Sequence, residues 1–542
     1  MSLALELTVF HKLFTAVAEE MGIVLGRSAF SPNIKERRDY SCAVCTAGGE
    51  LLAQAAHIPV HLGALPHTLA AVLARHPLGP GDVLLLNDPY CGGTHLPDLT
   101  VIAPFFAGGN LLFYLVNRAH HADVGGSAPG SMPLARDLRD EGVVIGPTYL
   151  FRDGLENTAF LEDFLARVRV PGERQGDLAA QLAALRRGGE RLKELVHRYG
   201  AGKLADMAAA VLYYAEAAMR EVLREIPDGV YRFQDCLDDD GWGHRDLPVR
   251  LALTVAGTAA ALDFRETADQ AEGGINAVPA VVEAACYYVF LALLGDDYPI
   301  NQGCFRPLTV LTRPGSLLQP CYPAPVAAGN VETSQRLVDV ILGALARALP
   351  QRIPAASQGT MNNLAFGGRD PRRGSDFTYY ETVAGGAGGG PAGPGADGVH
   401  THMTNTRNTP VEVLEHDFPV LVERYALREA SGGAGRHRGG RGLVRDFHFL
   451  TDVSVSLLTE RRRHGPYGLA GGGSGAPGEN LLILPDGRGN TLPGKINLTL
   501  PAGSRLSVRT PGGGGWGAAA PEPEASSLCG HLGTGALRQQ RE

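Results

Sequence analysis

The chain has 542 residues, of which 44% are apolar and 20% charged, and a formal net charge of -8. That length suggests roughly two to four domains, and the balance is that of a soluble globular protein. An acidic chain offers no basic footprint for nucleic acid and no polybasic stripe for a membrane surface, so a small-molecule substrate fits best.

Residues 3–25 open with apolar positions at helical spacing: Leu3, Leu7, Phe10, Phe14, Val17 and Met21. Glu6, His11 and Lys12 interrupt the apolar core that a secretory signal needs. The longest apolar stretch, near 284–295, is too short to span a bilayer. A cytoplasmic protein is expected. A strand–turn–strand follows at about 39–55, turning at Gly48-Gly49. Cys42 and Cys45 lie on its first strand, three apart and so on opposite faces. Eight cysteines in all are too sparse for a disulfide scaffold, which favours a reducing compartment. A helix is expected over 62–76, with Pro59 arguing against a regular helix through His57 and His61. A strand at 82–87 leads to a glycine-rich loop at 91–94.

Two apolar runs, 99–106 and 111–117, flank Ala107-Gly108-Gly109-Asn110 and predict a β-hairpin. Residues 159–224 are expected to be mostly helical and 229–265 β-rich. Helices are expected at 277–294 and at 332–348, the latter ending before Pro350. From about 355 come short strands broken by glycine-rich loops, densest at 385–398. The Pro/Ala-rich tail from 518 is expected to be disordered. The fold class is therefore mixed α+β: a β-rich fold with inserted helical segments and a glycine-rich β C-terminal third. The expected regions are 1–150, 151–228, 229–354 and 355–517, with a tail at 518–542.

The chemistry concentrates between Asn87 and Met132, where His95, Asp98, His120, His121 and Asp123 fall within one stretch. Imidazole and carboxylate together suit a borderline divalent ion such as zinc, manganese or iron. With the hairpin turn centred on Gly108 and Gly109, partners across it sum to about 217 or 218, which sets Asp98 opposite Ala119 or His120. Directly opposed residues have Cβ atoms roughly 4.5–5.5 Å apart, close enough to share an ion. His95 lies three residues before Asp98, kept out of a helix by Pro97. One hairpin base thus offers three metal ligands, His95, Asp98 and His120, with a position left open for water or substrate. His121 and Asp123 are candidates for orienting those ligands. Asp39, His57 and His61 form an upstream group that can line the pocket as acid/base residues.

Three weaker signals are read conservatively. Gly388, Gly390 and Gly393 match a dinucleotide fingerprint by letter, but no helix follows them. No G-x-x-x-x-G-K-[ST] or G-x-S-x-G motif occurs. The run Arg461-Arg462-Arg463-His464 is a candidate anion grip or a solvated face.

Several long segments resemble the hydantoinase B/oxoprolinase family. They are RRDYSCAV, HIPVHLG, NDPYCGGTHLPDLT, NRAHHADVGGSAPGSMP, GGINA, GNVETSQR, THMTNTRNTPVEVLE, SGGAGRHRGGRG and PGGGGWG, with Glu141-Gly142. The resemblance is collinear over about 1–517. It implies a metal-carrying subunit of an ATP-dependent cyclic-amide hydrolase, of the 5-oxoprolinase or N-methylhydantoinase type. A hydantoinase-A-like partner would bind ATP and phosphorylate the carbonyl oxygen of the ring, making the assembly a hetero-oligomer. With 5-oxoproline as substrate the reaction would belong to glutathione metabolism. The His-x-x-Asp pair and later His that hold the divalent metal in the carboxylase relatives match His95, Asp98 and His120. His121, Asp123, His57 or His61 would move protons or orient water, and the glycine loop at 125–130 would offer N–H groups to developing negative charge. Three alternatives stand beside this reading: an acetone-carboxylase-type α subunit, a non-catalytic scaffold for the hydantoinase-A-like partner, and a standalone metallohydrolase.

Overall fold

The computed structural model describes residues 3–55, 57–295 and 298–519. Among the described residues the fold is mixed α+β, built on four sheets. The tail expected to be disordered from 518 lies outside the described residues from 520 onward.

The first sheet has seven strands and positions the site. Its centre is the hairpin of Asp98–Ala107 and Asn110–His120. Gly108 and Gly109 both take positive φ, 59° and 82°, the left-handed pair that a two-residue turn between right-twisted strands requires. The pairing runs Asp98↔His120 through Phe105↔Phe113, with a bulge at Phe105/Phe106. Tyr40–Thr46 lies against the second hairpin strand and Val83–Leu86 against the first.

One face of this sheet is covered by helix Leu3–Ser28, whose Phe10, Phe14, Val17, Met21 and Leu25 are all buried. Phe14 meets Phe113 edge to face at 5.6 Å. Each such side chain contributes roughly 1.5–3 kcal/mol by leaving water. Helix Pro171–Tyr199 packs beside it, and at Gly188 a side chain would collide with Met21 and Leu115. The expected helix at 62–76 begins earlier, at Pro59, and runs to Leu73. Pro59 opens this helix rather than blocking it, because the first turn has no partner for the missing N–H. Helix Pro279–Leu294 crosses it where Gly63 meets Ala284.

The second sheet holds Gly229–Asp239, Arg245–Ala256, Ala259–Asp263 and Leu308–Leu311, backed by helix Ser334–Ala348. That helix starts two residues later than expected, because Gly329–Thr333 forms a π-turn. The third and fourth sheets pack face to face around a separate core that includes Phe366, Phe377, Phe447 and Phe449. No described helix is long and apolar enough to cross a membrane.

The glycine-rich stretches are neither loops in the ordinary sense nor ladder strands. Extended segments around 385–398, 431–442, 465–478 and 510–517 stack backbone against backbone. Gly389 N–H donates to Gly514 O, Gly513 to Gly440 O, Gly440 to Ala387 O, and Gly515 to Gly473 O. At Gly386, Gly388, Gly440 and Gly513 such spacing leaves no room for a side chain.

The basic run at 461–464 is corrected as an anion grip. Arg461 is buried and pairs with Asp235 and Asp339, both at 2.7 Å. Arg462 donates to Asn362 and Asn480, and Arg463 and His464 both bind Asp246. The fold's own acceptors take these donors.

Glu141 joins the hairpin region to the π-turn. Its Oε1 accepts N–H bonds from Val326 and Ala327, both at 2.9 Å, and its Oε2 has no partner. Burial pushes its carboxyl up to about 8, against the pull of the two amides. The native state therefore keeps a proton that the unfolded chain releases near 4.5, so stability falls as pH rises from about 4.5 to 8. Glu141→Gln is expected to abolish this slope. Urea unfolding at pH 8.5 should show it more stable than the parent by about 2–4 kcal/mol, with no gain at pH 4.5.

A second expectation concerns the glycine stack. A Cβ on Gly513 would overlap the carbonyl of Ala387, whereas one on Gly393 meets nothing within 4 Å. Gly513→Ala should cost about 3 kcal/mol or more, read as a large fall in Tm and soluble yield. Gly393→Ala should leave both unchanged.

Candidate metal centre

Three donors converge at the open end of the hairpin. Asp98 begins one strand, and His120 ends the other directly opposite. A turn closed by Asp98 N–H on His95 O at 3.1 Å folds His95 back over the carboxylate. Ligand atoms of His95, Asp98 and His120 all lie within 4.8 Å of one another, and all three residues are buried.

The electrostatics centre on Asp98. Its Oδ2 accepts from Thr94 Oγ1 at 2.6 Å and from Asn330 Nδ2 at 3.5 Å. Its Oδ1 faces three imidazole nitrogens: His95 Nε2 at 3.1 Å, His120 Nδ1 at 3.3 Å and His61 Nε2 at 3.3 Å. Burial alone would raise this carboxyl; the imidazoles of His95, His61 and His120 outweigh it and hold it well below the usual range. His120 is pushed down, because burial outweighs the opposing pull of Asp98.

Hydrogen bonding does not account for the cluster. Asp98 Oδ1, both ring nitrogens of His95 and Nε2 of His120 are buried without a hydrogen-bond partner. Buried polar atoms are nearly always satisfied. Four unsatisfied atoms on three adjacent side chains, all of metal-ligating type, fit a divalent cation.

The surroundings fix these side chains. The His120 ring stacks on Tyr380 at 4.5 Å and 12°, and Tyr380 OH donates to Asn363 Oδ1. The His120 main chain is held at both ends, its N–H by Asp39 O and its carbonyl by Asn33 Nδ2. His61, in the first turn of its helix, has Nδ1 3.3 Å from Ser41 Oγ, and its Nε2 also lies 3.9 Å from Asp39 Oδ1. A cavity of about 20 Å³ adjoins the cluster, lined by Asp39, His61, His120, Asn330 and Tyr380 with Thr382, Thr404 and Thr406. That is room for about one water.

The remaining expected site residues stand elsewhere. His57 packs edge-on against Tyr40 and accepts the Cys42 N–H on Nδ1. It lines a separate cavity, and burial pushes it down to about 4. His121 follows the strand end, and its Nε2 meets Gln181 Oε1 of helix Pro171–Tyr199 at 2.9 Å. Asp123 binds the amides of Gly125, Gly130 and Arg169 and the Arg169 guanidinium. His121 and Asp123 therefore brace the scaffold and do not face the cluster. In the glycine loop at 125–130 three amides are already engaged: Gly125 and Gly130 donate to Asp123, and Ser127 N–H donates to Asp140 O. Those amides are not free for a developing anion.

Sequence reasoning missed Thr94, Asn330 and Tyr380. Thr94 carried a local signal, four residues before Asp98 in the same turn. Asn330 and Tyr380 are more than 200 residues away in sequence, and neither spacing nor periodicity connects them to the hairpin.

Comparison with known proteins bears on the whole chain. The hydantoinase B/oxoprolinase family model matches residues 4–519. 5-Oxoprolinase 1 of Arabidopsis thaliana is 41% identical over 94% of this chain, which spans only 42% of that protein. A Pseudomonas sp. protein named as a D-/L-hydantoinase subunit is 30% identical over 92% of this chain and 88% of its own length. The crystal structure of ATP-dependent caprolactamase from Pseudomonas jessenii superposes with a TM-score of 0.89 at 28% identity, covering 96% of this chain and 92% of that one. The protein belongs to the hydantoinase B/oxoprolinase family.

Proposed function

We propose that this chain is the metal-carrying subunit of an ATP-dependent cyclic-amide hydrolase and completes ring opening after a partner has activated the amide. The observation that carries this reading is the set of unsatisfied buried donors on His95, Asp98 and His120. The family supports it: relatives are named as a 5-oxoprolinase and as a hydantoinase subunit, and a structural neighbour is an ATP-dependent caprolactamase.

His95, Asp98 and His120 would hold a divalent ion, with zinc, manganese or iron all compatible with two imidazoles and a carboxylate. Such an ion, when bound, brings the ionisation of a coordinated water toward neutrality and polarises a carbonyl. Thr94 and Asn330 orient the Asp98 carboxylate, and Tyr380 fixes the plane of His120. His61 handles the proton. Ser41 Oγ accepts the Ile58 N–H and so has its own proton to give to His61 Nδ1, which leaves Nε2 as the nitrogen carrying hydrogen beside Asp98 and Asp39. His57, His121 and Asp123 contribute by packing rather than by proton transfer.

ATP would be bound by a hydantoinase-A-like partner, which phosphorylates the carbonyl oxygen of the ring. The Pseudomonas relative is named as one subunit of its enzyme, which supports a separate partner chain. This chain spans less than half of the Arabidopsis 5-oxoprolinase.

Metal analysis of the purified chain should find a stoichiometric divalent ion. His95→Ala, Asp98→Asn and His120→Ala should each lower its content at least about tenfold and abolish ATP-dependent ring opening with the partner. Thr94→Val, which removes the hydroxyl held by Asp98, should weaken metal affinity by about 10–100-fold while the protein stays folded. Undiminished metal in both His95→Ala and His120→Ala would remove the assignment.

A further inference from the structure

Among the described residues one further group of three metal-ligating side chains has its donor atoms within 4.8 Å of one another: Cys236, Asp246 and His464. It shares no residue with the first centre and, unlike it, carries a thiol. Cys236 lies on strand Gly229–Asp239 and Asp246 on its neighbour Arg245–Ala256, both in the second sheet. His464 lies in the loop that follows strand Val453–Leu458 of the third sheet.

Register and anchoring bring the three together. Cys236 pairs with Pro248, so Asp246 is its diagonal neighbour on the same face of the two strands, within reach of a side chain. Asp246 takes φ 55°, a left-handed conformation that Asp adopts more readily than most residues. It drops out of the ladder between the pairs Leu237↔Leu247 and Asp239↔Arg245. Asp238 Oδ2 accepts the N–H groups of Arg462 and Arg463, which seats the loop on the strand and delivers His464. The main chain of Cys236 is held as well, its carbonyl by Arg336 and its N–H by Asp235 Oδ1.

His464 Nε2 lies 2.7 Å from Asp246 Oδ1, and Arg463 holds Oδ2 at 3.3 Å. Alone, that would be a surface ion pair worth little. The thiol beside it changes the chemistry. Sulfur, imidazole and carboxylate together are a donor set for zinc and its neighbours, whereas magnesium and calcium take oxygen alone. Cys236 is half-buried, while the side chains of Asp246 and His464 are about half exposed. Solvent can therefore supply a fourth ligand and let the ion exchange. Burial and the carboxylates of Asp235 and Asp246 push the thiol up, against the pull of Arg336 and Arg461. A divalent ion reverses that balance, because a coordinated thiol gives up its proton to water.

We propose that Cys236, Asp246 and His464 form a second, exchangeable metal site that takes zinc-like divalent ions through thiolate, carboxylate and imidazole, and so ties the loop at 461–464 to the second sheet.

The test is titration of the full chain with cobalt(II) after its first centre is filled. Binding should bring thiolate-to-cobalt charge-transfer absorption in the near ultraviolet, which a centre of two imidazoles and a carboxylate cannot give. Zinc should displace that signal. It should also slow alkylation of Cys236, followed peptide by peptide by mass spectrometry, at least about tenfold, because the thiolate is withdrawn. Magnesium should do neither. Cys236→Ser should lose the band and His95→Ala keep it. Asp246→Asn and His464→Ala should each weaken zinc binding at least about tenfold. Absence of both the band and the protection in the parent would overturn the site, and this arm requires no variant to fold. A band that survives Cys236→Ser would overturn it too, as would protection by magnesium equal to that by zinc. Undiminished zinc protection in both Asp246→Asn and His464→Ala would reduce the group to an ion pair beside a thiol.

Discussion

The structure turns on keeping the Asp98 carboxylate fully buried. An isolated buried carboxylate is among the most expensive groups a protein can hold, and it persists only where positive charge or hydrogen-bond donors surround it. Here Oδ2 has the Thr94 hydroxyl, but Oδ1 has only imidazoles, and burial disfavours the charged form of the one at His120. A cation shared by Asp98, His95 and His120 would satisfy the carboxylate and the lone pairs of both imidazoles together.

That constraint explains why so many separate elements end at one place. The hairpin brings Asp98 and His120 into register, and the turn at 94–97 adds His95. Helix Pro59–Leu73 delivers His61 from its first turn. The π-turn Gly329–Thr333 presents Asn330, and strand Ser375–Glu381 presents Tyr380. The π-turn is set by close approach: a side chain on Gly329 would overlap the Asn276 carbonyl. Asn276 itself is clamped by bonds to Ala271, Gly273 and Pro325. No single element forms the site, and each is fixed by contacts on its far side.

Much of this was legible in the sequence where the determinants are local. Alternating apolar runs around Gly108-Gly109 specify the hairpin, and its register follows from the turn. Helical spacing at 3–25 and turn residues elsewhere gave boundaries within a few residues. Reasoning failed where a residue's role depends on what it meets. Pro59 looks like a helix breaker and is a helix starter, which depends on where the preceding strand releases the chain. His120 and His121 are adjacent letters, but the strand end sends one to the cluster and the other to Gln181. The glycine-rich third looks like loops, because its backbone-to-backbone packing leaves no side-chain period to detect.

The arginine run shows the same limit and completes the picture of rigidity. Arg461 pairs with Asp235 and Asp339, Arg336 with Glu460, and Lys495 with Glu460 at 2.5 Å, all largely buried. These residues come from the second sheet, the helix after the π-turn, and the third sheet with its adjoining loop. Buried pairs of this kind add little net stability, because desolvation consumes most of the Coulombic gain. Their effect is on register: a small slip of the helix against either sheet would strand a charge away from water. The same helix begins where the π-turn ends, and the π-turn carries Asn330 against Asp98. A network worth little in stability thereby fixes the position of a side chain on which the buried carboxylate depends.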